Sequence, residues 1–282
     1  MSASTWTVTE PQKLTFDEPL ASLKVRIVNG TVNVVATDGS SAAHLEVSEL
    51  DGPPLIVTRE GSALTVAYED LPWKGFLKLL DRKGWQRKAV VSLAVPADAS
   101  VEVGVIGAGA VLSGIRGRTD VRGVSGDTTL VGLSGAVHAE TVSGSLEAQS
   151  VTGELRFTSV SGDLTVIEGA GPSVRAESVS GDMVIDLDGK PTDVRATSVS
   201  GEIAIRLPHP ADARVEANTT TGSLSNAFED LRVSGMWGSK KITGTLGTGR
   251  GSLKATTVSG SVALLRRPPT QDGRSDETGK AL

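Results

Sequence analysis

A short signature recurs on a fixed beat through the middle of the chain and restricts its fold more than any other feature. Val124-Ser125-Gly126-Asp127, Leu133-Ser134-Gly135-Ala136, Val142-Ser143-Gly144-Ser145, Val151-Thr152-Gly153-Glu154 and Val160-Ser161-Gly162-Asp163 place glycines nine residues apart. The signature continues at Gly181, Gly201, Gly222, Gly244 and Gly260, in steps of 19, 20, 21, 22 and 16 residues. Self-similarity at a fixed period signals stacked units that cannot bury a core singly. The wider steps are close to twice nine plus an insertion. They predict a coil of about 18–22 residues holding two short strands and two turns.

Between the turns the apolar residues alternate. Leu146, Ala148 and Val151, then Leu155, Phe157 and Val160, then Leu164 and Val166 are separated by Glu147, Gln149, Arg156, Thr158 and Thr165. Period two means strands with one buried face. The invariant glycine is expected to supply a φ > 0 corner that a residue with a Cβ resists. Extra length falls at 168–172, 187–191 and 207–210, each punctuated by Gly or Pro, so one corner varies while the other stays constant. That asymmetry favours a solenoid of parallel coils over an antiparallel meander. The fold expected is all-β: an elongated right-handed parallel β-helix with an irregular N-terminal capping part. Eight coils, marked by Gly126, Gly144, Gly162, Gly181, Gly201, Gly222, Gly244 and Gly260, would make a rod of roughly 40 Å.

Before the array, residues 1–100 read as strands, and Val28-Asn29-Gly30-Thr31 has the layout of a degenerate repeat. Leu55 to Thr58 and Ala63 to Tyr68 flank a hairpin signal at 59–62. This part is expected to cap the solenoid, continuous with repeats over 101–265, and a polar tail at 266–282 is expected to be disordered. Residues 71–88 break the pattern. They hold Trp73, Phe76 and Trp85 with Lys74, Lys78, Arg82, Lys83, Arg87 and Lys88 against Asp81, a local charge of 6 − 1 = +5. A basic amphipathic stretch of this kind could meet an anionic membrane surface or a partner; equally, it could cap the apolar end of the rod.

The totals exclude several classes. With no Cys among 282 residues there is no disulfide, thiol nucleophile or cysteine–metal site. A net charge of −5 is too mild for nucleic-acid binding by the chain as a whole. Neither a basic segment followed by an apolar run at the N-terminus nor an uncharged apolar run of about 18 residues is visible, so a cytoplasmic location is expected.

The best candidate for chemistry is the column after the invariant glycine, Asp127, Asp163, Asp182 and Glu202, interrupted by Ser145 and followed by Ser223. In register these carboxylates would lie about 5 Å apart, near enough to hold Ca²⁺ or act as paired acid and base. The competing reading makes them corner residues that bond local N–H groups. His44, His138 and His209 show no ligand spacing, and Gly247-Thr248-Gly249-Arg250-Gly251 lacks the Gly-Lys-Ser/Thr ending of a phosphate loop. No catalytic, cofactor-binding or metal-ligating residue is assigned, and no enzyme activity or cofactor is expected.

The Val-Ser-Gly-Asp units of 158–164 and 177–182, with Phe16-Asp17-Glu18-Pro19, Val95-Pro96-Ala97 and Val258-Ser259-Gly260-Ser261-Val262, resemble a bacterial β-strand-repeat family catalogued as a domain of unknown function and "putative adhesin". The likeness runs over nearly the whole chain. It implies a β-solenoid and surface exposure, and it carries no catalytic residues. A protein partner or self-association through strand faces is the function expected; the alternatives are a peripheral membrane or envelope-associated protein using 71–88 and a carbohydrate-binding or carbohydrate-active β-helix.

Overall fold

The computed structural model describes residues 3–39, 41–69, 87–188, 192–236 and 239–268. Within these, 26 strands form one sheet of fourteen, sheet A, and one of twelve, sheet B. Successive strands of the array alternate between the sheets, and their inward residues merge into one apolar core. In sheet A, Thr119–Gly123, Val137–Thr141, Leu155–Ser159, Ser173–Glu177 and Asp193–Thr197 run parallel. In sheet B, Thr128–Val131, Leu146–Gln149, Leu164–Gly169, Met183–Leu187 and Ile203–Leu207 do the same. Thr128 faces Leu146 and Leu146 faces Leu164, partners 18 residues apart, as the nine-residue beat requires. The parallel stack is therefore the arrangement, and the meander is not.

Packing follows the alternation. Phe157 is buried between Ala139 and Ala176, its partners in the coils on either side, so two small residues make room for one ring. Interdigitating large with small across facing positions is how cores reach crystal-like density. At about 4.8 Å per strand the fourteen strands of sheet A span about 60 Å, longer than the array alone because both ends extend it.

The ends depart from chain order. Ser22–Ile27 pairs directly with Ser100–Val105, and Asn29–Thr37 with Gly109–Ser113, so 28–31 is an early repeat stacked on the first regular coil. The intervening chain packs beyond it. Ala63–Tyr68 joins sheet A in parallel with Ser22–Ile27, and beyond it Leu55–Glu60 and Ala3–Val8 add antiparallel; Lys88–Pro96 joins sheet B in parallel with Asn29–Thr37, and beyond it Ala43–Asp51 and Gln12–Phe16 add antiparallel. Trp6 stacks edge-on against Phe16 at 5.2 Å, closing this cap.

At the other end the last pair of strands, Gly251–Thr257 and Val262–Arg266, inserts between 193–207 and 213–226. Stacking in sequence order, expected for the last coils, is thus corrected: Gly260 sits on Gly201, and Gly222 sits on Gly260. Gly244 marks no coil. It lies in Ser239–Leu246, which pairs antiparallel with Ala213–Thr219 and Arg232–Met236.

A second correction concerns the glycines themselves. Gly126, Gly144, Gly162, Gly181, Gly201, Gly222 and Gly260 do not adopt a left-handed φ. A Cβ on Gly162 would instead lie 2.0 Å from the carbonyl oxygen of Gly144 in the coil below, and one on Gly181 2.0 Å from that of Gly162. The corner demands glycine because backbone meets backbone there.

The basic aromatic stretch with Trp73, Lys74, Phe76, Lys78, Arg82, Lys83 and Trp85 lies outside the described residues, as does the tail beyond 268. Of its flank, Arg87 stacks over Tyr68 at 5.3 Å and Lys88 meets Glu49 at 2.8 Å.

Candidate functional site

The corner joining sheet A to sheet B is built by three hydrogen-bond ladders. From Gly144 onward the residue three before the corner glycine is Ser or Thr (at Gly126 it is Gly123), and its hydroxyl accepts the glycine N–H: Gly144 to Thr141 at 3.0 Å, Gly162 to Ser159 at 2.7 Å, Gly181 to Ser178 and Gly201 to Ser198 at 2.9 Å. The serine before the glycine donates to a carbonyl of the coil below, Ser161 to Val142 and Ser180 to Val160 at 3.3 Å. Hydroxyl side chains thus satisfy a backbone that turns too sharply to satisfy itself.

The third ladder is the acidic column. Ser145 donates its N–H to Asp127 Oδ1 at 3.0 Å, Asp182 to Asp163 Oδ1 at 2.8 Å, and Glu202 to Asp182 Oδ1 at 2.7 Å. The structure does bring Asp163, Asp182 and Glu202 onto adjacent coils, but Ser261 stands between Glu202 and Ser223. One carboxylate oxygen from each of Asp127, Asp163 and Asp182 is spent on the next coil's amide, and all are exposed to water. No group of three or more His, Cys, Asp or Glu side chains among the described residues could hold a metal ion. The end of the column opens into a shallow polar trough of about 680 Å³ lined by Asp182, Glu202, Ser223, Lys240 and Ser261.

Along the same ridge, from Val142 on, the valine before Ser-Gly points outward, whereas Val124 packs against the core. Val142, Val160, Val179, Val199 and Val258 are 37–51 % exposed, one per coil. Val160, grouped by its apolar character with Leu155 and Phe157, stands three residues after Phe157, so strict alternation puts Ser159 inside, where it is buried, and Val160 outside.

Elsewhere titratable groups serve the frame. Asp186 is buried on sheet B beneath Arg206 and Arg267, with Arg267 donating to its carboxylate at 2.7 Å. Burial works to raise the Asp186 carboxyl, but the two guanidinium groups together outweigh it and leave the group below the usual range. Asp212 holds the loop at 248–250 through Thr248 Oγ1 and the N–H of Arg250; that N–H bond and the Arg250 side chain keep its carboxyl well below normal. The three histidines lie apart. His44 meets Thr15 at 3.3 Å, His138 meets Glu140 at 3.1 Å, and His209 sits in a surface loop before a cis proline.

One array escaped the sequence reading. Arg156, Arg175, Arg195 and Lys254 occupy one cross-strand row on the outer face of sheet A, each facing the next. Its signal is a cation six residues before Gly162, Gly181, Gly201 and Gly260, with His138 in the same place before Gly144.

Two long, mostly parallel sheets wound as a stack, with repeated exposed rows, define a β-solenoid-like repeat protein. The family described as Toastrack DUF4097 matches residues 117–193 and 170–265, more than half of the chain, and the protein belongs to that family. No curated protein matches the chain. Solved structures with matching chains include a putative cell adhesion protein from Clostridium sporogenes, with 11 % identity and TM-score 0.28 over 92 % of this chain and 100 % of that one. A putative adhesin from Bacteroides fragilis has 11 % identity and TM-score 0.40 over 92 % of this chain and 98 % of that one. A putative lipid binding protein from Parabacteroides distasonis has 12 % identity and TM-score 0.40, with the same coverages. At that similarity the fold rests on the strand pairing itself. No helix among the described residues is long and apolar enough to cross a membrane.

Proposed function

We propose that this protein is a non-enzymatic β-solenoid scaffold, adhesin-like, that acts through its strand faces and corners on a protein partner or on further copies of itself. The coils are taken as right-handed, the hand in which nearly all parallel strand–crossover–strand units wind. The observation that carries the reading is the ridge of exposed valines at one corner. A side chain that leaves Val160 half in water gains nothing for the fold, whereas five in line offer a continuous apolar edge to a second surface. The acidic column adds polar complementarity beside it, its carboxylates fixed by the next coil's N–H groups.

Light scattering across protein concentrations tests the self-association form. The wild type is expected to rise above the 29.0 kDa chain mass as concentration increases. Replacing Val160, Val179 and Val199 by Asp should hold it at one chain. A wild type that stays monomeric throughout, and whose capture of proteins from its host is unchanged by the triple substitution, would remove the ridge from the account.

A further inference from the structure

Four cations stacked in register are costly to a fold. Like charges directly opposite on neighbouring strands repel, yet Arg156 faces Arg175, Arg175 faces Arg195, and Arg195 faces Lys254. All four side chains are exposed. Carboxylates nearby relieve only part of the row: Arg175 meets Glu154 at 3.5 Å and Lys254 approaches Glu216 at 3.9 Å. The side chains of Arg156 and Arg195 have neither an ion pair nor a hydrogen bond among the described residues. Four charges over three strand intervals make a straight line of about 14 Å with one cation every 4.8 Å or so.

We propose that this row binds a linear acidic polysaccharide, laid along the solenoid axis with one carboxylate per sugar opposite each cation. The proposal rests on the scaffold reading, because it needs a surface that holds a polymer without cleaving it. The geometry discriminates among polyanions. Glu154 and Asp193 flank the row on one side and Glu177 on the other, in the neighbouring cross-strand rows. A flat anionic bilayer would meet those carboxylates together with the cations, whereas a single narrow chain laid on the row meets the cations first. Single-stranded nucleic acid binds by stacking its bases on exposed aromatics as well as by charge. The ring on these four strands, Phe157, points into the core. The rise of one strand is close to the length of one sugar unit, and a guanidinium donates two N–H bonds to a carboxylate in a planar fork. Ser173, Ser252, Thr158, Thr197 and Thr256, in the neighbouring rows, supply hydroxyls for a sugar's own hydroxyl groups. Such polymers lie outside the membrane. The reading therefore sets aside the cytoplasmic expectation, which rested on the sequence showing neither a signal-peptide pattern nor a membrane-spanning apolar run.

The test is isothermal calorimetry of the full chain with polygalacturonate, amylose of matched length, oligo-dT and anionic phospholipid vesicles, at several NaCl concentrations. Polygalacturonate is expected to bind with a log–log salt slope on the order of −3, the value for about four neutralised anions on a single strand. Arg156→Gln/Arg195→Gln should weaken it about tenfold or more and roughly halve the slope. Arg175→Gln/Lys254→Gln, the other half of the row, should do the same and stands in should the first pair not fold. Lys13→Gln/Lys88→Gln removes equal charge from sheet B and should leave affinity unchanged. The proposal is overturned by absent binding, by equal affinity for amylose, by tighter binding of oligo-dT or vesicles, or by row variants that bind like wild type. Release of new reducing ends in the same mixture would refute the scaffold reading while leaving the row in place.

Discussion

Replacing Gly162 by Ala sets two effects of opposite sign against each other. Its φ is not left-handed, so alanine can adopt the backbone conformation. With open space around it the substitution would stabilise by about 0.4–1 kcal/mol through the unfolded chain. The space is not open. The new Cβ would lie 2.0 Å from Gly144 O, against the 3.0 Å that real Cβ atoms keep, so the coils must part by at least 3.0 − 2.0 = 1.0 Å. Parting them strains the bonds from Ser161 N (2.8 Å) and Ser161 Oγ (3.3 Å) to Val142 O. Overpacking costs typically about 1–3 kcal/mol, and the two bonds about 0.5–1.5 kcal/mol each. The net expectation is a loss of about 2–4 kcal/mol, read as a fall in the urea midpoint at unchanged slope or a drop in Tm on the order of 10 °C. Asparagine discriminates the cause, since it tolerates the left-handed region better than alanine does. At Gly162 crowding makes Asn at least as damaging as Ala. At Gly132, with φ +65° and nothing within 4 Å, Asn should cost less than Ala. A Gly162→Ala protein as stable as wild type, or Asn outperforming Ala at Gly162, would refute the close-approach account.

Ser159→Ala removes the buried acceptor of Gly162 N–H and should cost about 1–3 kcal/mol by chemical denaturation. Phe157→Ala, facing alanines on both sides that cannot close the gap, should cost about 3–5 kcal/mol by the same assay. For Asp186 the folded-state pKa is depressed, so its contribution is present above the ordinary carboxylate pKa of about 3.9 and is lost as pH falls through the lower folded value. Asp186→Asn should therefore flatten the acid limb of a Tm–pH curve below about pH 4 while lowering Tm at neutral pH. Because Asp163 and Asp182 already spend an oxygen each on the next coil's amide, millimolar CaCl₂ should leave Tm unchanged; a rise of several degrees would restore the column as a cation site.

The regular coils were legible because two periods coincide in them. Alternation at two residues says strand, recurrence of Ser-Gly at nine says turn, and their product fixes the register of Leu146 on Leu164. What could not be read was anything that depends on which coil lies next to which. The close approach at Gly162 exists only once Gly144 is beneath it. The Arg156–Arg175–Arg195–Lys254 row requires knowing that Lys254 stacks on Arg195, although 59 residues of sequence number separate them (254 − 195). Asp163, Asp182 and Glu202 of the acidic column lie on adjacent coils. Its bonding to the next coil's N–H groups favours the corner role, because amide and carboxylate meet only in the stacked form.

The out-of-order ends follow from the same physics. A parallel stack that simply stopped would expose two rows of unpaired N–H and C=O groups, one per sheet, each a template for another copy. At the N-terminal end the chain leaves after Asn29–Thr37, builds antiparallel strands, and returns at Ser100–Val105 to begin the array. At the C-terminal end the last two strands slip inside, so that 213–226 and the antiparallel strands 232–246 lie outermost. Both devices put antiparallel pairing at an end of sheet A, so the edge strand there no longer continues the parallel register of the array, while in sheet B the edge at Leu224–Asn226 is a short parallel strand. Growth end to end is thereby discouraged. What remains free for partners is the length of the solenoid: the valine ridge on its corner and the cation row on its face.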